Sequence, residues 1–419
     1  MKNLWIAGVS ALAFSAVAGT ALAKGPAGPG PDKKVWDAAQ ADRADQLKLL
    51  ETVVNIDSGT GDAEGGRKVE AVLIPILKSL GASVETVPAE APGLPENVVA
   101  TFTGTGKGRI LMIGHIDTVF GPGTVAERPY RVEGDHARGP GVSDEKGGVI
   151  EGLTAMKILH DLGYHDYAKV TFLMETSEER GSPGTQGLIK KLLTDADVEF
   201  NLEPGDPPDA LTVWRKGSAT FHIDVKGRAA HAGIAPQDGR NAIQELIHQI
   251  KGLDVYPTFG PATTVNVDVI KGGTRNNIIP DAASAEVNVR VRDQAIFDEV
   301  EATMKKDAET RVIPDTTVTV WREAAFPPLR DNAGTMALAA RAHAIYAPLG
   351  RKLEDSGNGG ASESALASAA GVPALDGLGP VGGGFHSEQE YLDLTSLTPR
   401  TYLLTKLVMD LGANPPAHK

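Results

Sequence analysis

Between residues 69 and 80 the apolar positions fall on Val69, Val72, Leu73, Ile76, Leu77 and Leu80, which is one stripe along a helix. Apolar runs of strand length follow at 83–87, 97–102 and 109–113. The pattern then predicts a helix over 146–162 closed by Gly163, a buried strand over 169–174, a helix over 185–193 and a strand over 198–202. Such alternation predicts an α/β sheet covered on both faces. From about 218 the rhythm changes. Phe221, Ile223 and Val225 alternate with polar residues, and a helix over 241–253 follows. Strands over 263–270 and 284–292, a helix over 294–309 and a strand over 316–321 come next. The order strand, helix, strand, strand, helix, strand is the split βαβ, ferredoxin-like unit. It reads as a domain inserted at 217–325. After Phe326-Pro327-Pro328, helices over 334–347, 362–370 and 399–411 complete the first domain, which comprises 34–216 and 326–419.

The first residues, MKNLWIAGVSALAFSAVAGTALAKG, sit outside this scheme. Lys2, an apolar stretch from Leu4 to Val17 and the small residues Ala21-Leu22-Ala23 have the plan of a cleavable signal peptide over 1–23. Gly and Pro dominate 24–33, which reads as a linker. The mature protein is therefore expected to be periplasmic or secreted. No later stretch is long and apolar enough to span a bilayer, so no membrane partner is expected. Cysteine is absent from the 419 residues, so an exported form is held by its cores, or partly by metal, instead of disulfides. The net charge of −13 and the lack of a long basic run argue against nucleic acid as a partner.

Acids and histidines gather where apolar strands end or glycine-rich turns begin. GHIDTVF (114–120) places His115 and Asp117 on one face of an extended segment; alone, the pair also suits a loop histidine beside a helix-capping aspartate. GPGVSDEKGG (139–148) carries Asp144, METSEERGS (174–182) carries Glu178 and Glu179, NLEPGD (201–206) carries Glu203, and GGGFHSEQE (382–390) carries His386. Strand ends converge on one rim of an α/β sheet, where its active site lies. Oxygen and imidazole donors without thiolate suit zinc in a hydrolytic site. Glu178 and Glu179 are neighbours whose side chains diverge, so both cannot ligate one ion from a regular strand.

The five motifs in this order, with the inserted domain, resemble the M20 metallopeptidases, and among them the carboxypeptidase G2-like enzymes. The resemblance covers essentially the whole mature chain. It implies an α/β, mixed-sheet, zinc-exopeptidase-like catalytic domain with an inserted ferredoxin-like α+β dimerisation or lid domain. It also implies two Zn²⁺ per subunit, with Co²⁺ or Mn²⁺ as substitutes, and a homodimer. In that scheme Asp144 bridges the ions, His115 and Glu203 complete one site, and Glu179 and His386 complete the other. Asp117 would accept the free ring N–H of His115. Glu178 would be the general base, and the peptide after Asp144 would be cis. In the inserted domain, the resemblance gives His231 the oxyanion of the partner subunit's site. Asn277 and Arg290 would grip the substrate's terminal carboxylate.

Some positions depart from that pattern. Ser362 stands where an aspartate is expected in GGASES, Ala210 where a lysine is expected and Glu323 where an arginine is expected. Arg215, Lys216, Arg275 and Arg322 lie close enough in sequence to substitute. The resulting expectation is a di-zinc carboxypeptidase that releases a C-terminal, acidic amino acid from a peptide or N-acyl amino acid. The alternatives are an exo-hydrolase of a poly(aspartate)-type polymer, an N-acyl-amino-acid deacylase, an aminopeptidase, or a catalytically inactive peptide-binding relative.

Overall fold

A computed structural model describes residues 30–253, 259–260, 262–323 and 326–417. The expected signal peptide over 1–23 and most of the expected linker over 24–33 lie outside the described residues. Two helices, α1 (Lys33–Val54) and α2 (Ala63–Ser79), precede β1 (Ser83–Val87), β2 (Asn97–Thr103) and β3 (Arg109–His115). The turn α3 (Thr124–Glu127) and the short strands β4 (Arg131–Glu133) and β5 (His136–Arg138) lead to α4 (Lys146–Asp161) and β6 (Lys169–Glu175). Then come α5 (Gln186–Leu193), β7 (Val198–Asn201), β8 (Pro204–Gly205) and β9 (Ala210–Arg215).

The inserted unit runs β10 (Gly217–Lys226), α6 (Ala242–Lys251), β11 (Thr264–Gly272), β12 (Ala282–Val291), α7 (Gln294–Asp307), β13 (Thr317–Arg322). The chain returns through α8 (Ala333–Tyr346), β14 (Glu354–Asn358), α9 (Ser364–Ala369), β15 (Ala374–Leu375), β16 (Gly379–Gly383), β17 (Tyr391–Asp393) and α10 (Leu394–Ala413).

The main sheet has the order β1-β2-β6-β3-β7-β15. From β6 to β15 it is parallel, and β1 and β2 are antiparallel additions, so the sheet is mixed. Central β3 is apolar on both faces, as a strand covered twice must be. Ile110 and Met112 join the core beneath α1, α4 and α10, while Leu111 and Ile113 face α5 and α9. Gly148 lets α4 approach β7 closely, because a Cβ there would lie 1.9 Å from the Leu202 carbonyl oxygen. The C-terminal ends of β3, β6 and β7 therefore open beside the N-terminus of α4.

The inserted unit has its own core. Phe221, Ile223 and Val225 of β10 and Val287, Val289 and Val291 of β12 pack on Leu246 of α6 and Phe297, Val300 and Met304 of α7. Its sheet order, β11-β12-β10-β13, is ferredoxin-like. The other sheet face carries Ser218, Thr220, Asn288 and Arg290. Strand β11 is an edge, bulged between Val267 and Val269.

Several elements differ from expectation or went unread, and α10 and the pair β9–β14 show why. Helix α10 begins at Leu394 instead of 399 and carries Pro399 inside it. Proline cannot donate to the carbonyl four residues back; that carbonyl, Thr395 O, accepts from Arg351 Nη1 at 3.0 Å instead. The parallel pair β9 and β14 also went unpredicted. The EDSGN of β14 has no apolar alternation and becomes a strand only through its partner.

Candidate metal centre

His115 ends β3 and is fully buried, with Nε2 3.1 Å from Asp144 Oδ1 and 3.7 Å from Glu203 Oε1. Its Nδ1 lies 3.0 Å from the main-chain oxygen of Asp117 and 3.4 Å from that residue's carboxylate. The ring N–H thus faces the Asp117 carbonyl as the nearer acceptor, with the expected carboxylate also in contact. The Asp117 carboxylate also accepts from Thr60 Oγ1 at 2.6 Å and from the amides of Glu178 and Glu179 at 3.1 and 3.3 Å. It fixes the turn that presents both glutamates.

Asp144 stands just before α4. Glu390 holds this loop by accepting from the amides of Gly141, Ser143 and Asp144. The Asp144–Glu145 peptide is cis, as the resemblance implied. Asp144 Oδ1 faces His115, and Oδ2 lies 3.2 Å from His386 Nε2. His386 Nε2 is also 3.1 Å from Glu179 Oε2. The His386 backbone has φ +59°, a left-handed conformation that costs on the order of 1 kcal/mol outside glycine. Glu178 Oε2 is 4.0 Å from His115 Nε2, on the same side of the cluster. The structure thus brings His115, Asp144, Glu178, Glu179, Glu203 and His386 together. One further acid was missed. Glu145 is buried, accepts the His115 amide at 3.0 Å, and could join His115 and Glu203 around an ion. Its signal was the second acid of the SDEK run.

The cluster gathers buried carboxylates around two imidazoles, an arrangement that suits a cation. Burial raises Glu203 to about 7 despite the neighbouring Arg215. Burial also raises Glu178, with Glu363, Glu203 and Glu179 adding to the effect. Hydrogen bonds with Asp144 and Glu179 raise His386 to about 10. On His115 burial opposes the charge, yet Asp117, Asp144 and Glu203 outweigh it and hold the ring well above its ordinary value. Glu145 Oε1 is buried without a hydrogen-bond partner. Carboxylate oxygens and imidazoles crowded this way fit one or more divalent ions of the zinc kind.

A cavity of about 500 Å³ adjoins the cluster, lined by Asp144, Glu178, Glu203, Arg290, Phe326 and His386 among others. Arg290 projects into it from β12, paired across the sheet with Ser218 and donating to Gly359 O at 2.9 Å. His231 and Asn277 lie elsewhere. They sit side by side on exposed turns joined by a His231–Ile278 bridge, and neither lines this cavity. The His231 Nδ1 accepts from the amides of Gly233 and Ile234 at 3.2 and 3.1 Å, which leaves Nε2 as the protonated, donating nitrogen.

The four basic candidates for specificity separate cleanly. Arg215 is buried and committed to Asp376 at 2.7 Å and Glu203 at 3.2 Å. Arg322 faces α7, paired with Asp298 and Glu301. Arg275 is exposed on the 272–281 loop. Arg215 still lines the cavity that holds Arg290, whereas Lys216 does not line it; burial together with Arg290 and Arg292 holds the Lys216 ammonium below its ordinary value. Ser362 donates to Asp376, and the adjacent Glu363 supplies the buried carboxylate, accepting from Ser182 at 3.0 Å and Asn201 at 2.9 Å. Glu323 pairs with His222 at 2.7 Å, and Ala210 is buried in β9.

Family models match two stretches, the Peptidase dimerisation domain over residues 213–316 and Peptidase family M28 over residues 97–245. Carboxypeptidase G2 of Pseudomonas sp. (strain RS-16) is 35% identical over 411 residues, 97% of this chain and 97% of that protein. The chain belongs to the M20 metallopeptidase family. It is a metal-dependent peptidase of the carboxypeptidase G2-like kind. An M20 domain-containing protein of Schizosaccharomyces pombe is 31% identical over 58% of this chain and 60% of its own. Solved M20-type structures share the fold. A tripeptidase from Staphylococcus aureus superposes with a TM-score of 0.72 at 21% identity, covering 88% of this chain and 98% of its own. The M20 family metallo-carboxypeptidase of Sulfolobus solfataricus gives 0.69 at 17% identity, over 87% and 98%.

Proposed function

We propose that this M20 peptidase is a di-zinc carboxypeptidase that hydrolyses the amide to a C-terminal, acidic amino acid. The observation that carries the two-ion reading is Asp144, whose two oxygens face two different histidines at 3.1 and 3.2 Å. His115, Glu203 and Asp144 would hold one ion, and His386, Glu179 and Asp144 the other, with Glu145 beneath the first. Bound there, two divalent cations supply Lewis acidity toward a water molecule and the scissile carbonyl. Glu178 takes the proton of the attacking water and hands it to the leaving amine. Its backbone is fixed for that task by Asp117.

Arg290 binds the terminal carboxylate of the leaving residue, an assignment supported by its place in the cavity beside Glu178. Arg215 and Arg290, the two basic residues lining that cavity, together with Lys216 close by and without an acidic partner among the described residues, support an acidic side chain there. His231 and Asn277 serve the site of a partner subunit in a homodimer. Their exposure outside the lining of their own chain's cavity, and the edge strand β11 with Ile270 exposed, support that arrangement. The leader at 1–23 supports a periplasmic or secreted enzyme. A poly(aspartate) exo-hydrolase or an N-acyl-amino-acid deacylase would use the same residues. An inactive binding relative is disfavoured because Glu178 is present and held against the cluster.

Turnover of N-acyl glutamate, aspartate and neutral amino acids, each as free acid and as C-terminal amide, tests the reading. Acidic free acids should be hydrolysed fastest and the amides slowly. Equal rates on acids and amides would remove the role of Arg290, and faster release of neutral residues would remove that of Lys216.

A further inference from the structure

The cluster has a second cavity on its other side, about 790 Å³, lined by Thr60, Gly61, Phe120, Glu179 and Arg180 among others. Glu179 lines both this space and the cavity beside the cluster that holds Arg290, and Arg180 also borders a further space of about 680 Å³ that Arg290 lines. A substrate crossing the cluster at Glu179 with its leaving residue on Arg290 therefore has its acyl portion in the second cavity.

The walls of that cavity are braced. The amide of Thr60 donates to Thr118 O at 3.0 Å, and the amide of Thr118 to Ser58 O at 3.0 Å. Asp57 holds the facing loop by accepting from the amides of Gly123 and Val125 at 2.8 and 2.9 Å. Only glycine fits at position 59, where a Cβ would lie 2.1 Å from Phe120 O. Thr60 ties this wall to Asp117, and so to the turn that carries Glu178 and Glu179.

Arg180 follows Glu179 directly on that turn. It is exposed, and its side chain has no ion-pair partner among the described residues. Its guanidinium lies over Gly61, with both terminal nitrogens within 3.8 Å of where a Cβ would stand. Two acids share the cavity. Glu179 is turned to His386, and Asp62 caps α2 by accepting from Gly65 at 2.9 Å. Arg180 is therefore the cavity's uncommitted donor, in a planar form that matches a carboxylate.

We propose that this cavity is the acyl-side subsite and that Arg180 selects acyl groups bearing a carboxylate, such as an acidic penultimate residue. The proposal rests on the carboxypeptidase reading above. Its test compares kcat/KM for N-acetylaspartyl and N-acetylasparaginyl substrates that share one leaving amino acid, using zinc-loaded enzyme. The wild type should prefer the aspartyl substrate, and Arg180→Ala should lower that preference ratio about tenfold. Arg180→Lys should restore part of it, and Arg180→Glu should invert it. A ratio that Arg180→Ala leaves in place, including the case where both rates fall together, overturns the proposal.

Should the wild type cleave neither substrate, the carboxypeptidase reading fails instead. The subsite is then read by calorimetry with N-acetylaspartate. Weaker binding to Arg180→Ala supports it, and equal binding to both proteins rejects it.

Discussion

Asp117 does more than orient one ligand. Its carbonyl faces the His115 ring, while its carboxylate holds Thr60 and the amides of Glu178 and Glu179. The proposed base thus depends on a residue two places from a proposed ligand. Glu178→Gln keeps the shape and the proposed metal ligands but removes the proton acceptor. It should retain the metal content and thermal stability of the wild type while kcat falls by about a thousandfold. Turnover close to wild type in a metal-replete Glu178→Gln preparation would reject the assignment. The residue types at the centre were legible because each sits at the end of an apolar run or in a glycine turn. Glu145 was not, since its neighbour Asp144 already accounted for the acidic signal. The split duty of the Asp117 carbonyl and carboxylate depends on a turn that spacing does not encode.

Among the elements, the approach of α4 to β7 sets the distance between Asp144 and Glu203. Gly148 makes that approach possible. Gly148→Ala should destabilise the protein on the order of 3 kcal/mol and depress turnover, because the added carbon must push the helix from the strand. Urea denaturation gives the first effect and steady-state kinetics the second; unaltered stability would mean that the helix can shift freely. The buried strands of the main sheet were readable, since runs covered on both faces must be apolar. The ferredoxin-like order was equally plain from its alternation. Helix α10 was predicted late because Pro399 marks a boundary in isolation, and its rescue by Arg351 comes from a segment more than forty residues away in the chain. Strand β14 was invisible for a related reason: its pairing with β9 is a property of the assembled core.

At the scale of the whole molecule, two of the predicted site residues stay outside the cavity of their own chain. His231 and Asn277 are exposed on turns of the inserted unit, away from the cavity that holds Arg290. The motifs announced these residues, and the family resemblance alone, not any spacing in the chain, assigned His231 to a partner subunit's site. If His231 acts across a homodimer, mixing refolded Glu178→Gln and His231→Ala proteins should restore activity. Random pairing puts half the chains in mixed dimers with one complete site each, so about a quarter of wild-type activity is expected. Mixtures as inactive as their components would show that His231 works in its own chain or not at all.

The central claim is that five side chains from distant parts of the sequence hold two metal ions. Anomalous diffraction at the zinc edge from zinc-loaded crystals tests it most directly. Two peaks are predicted, one bounded by His115, Asp144 and Glu203 and the other by Asp144, Glu179 and His386. A single peak, or zinc bound away from Asp144, would contradict the account.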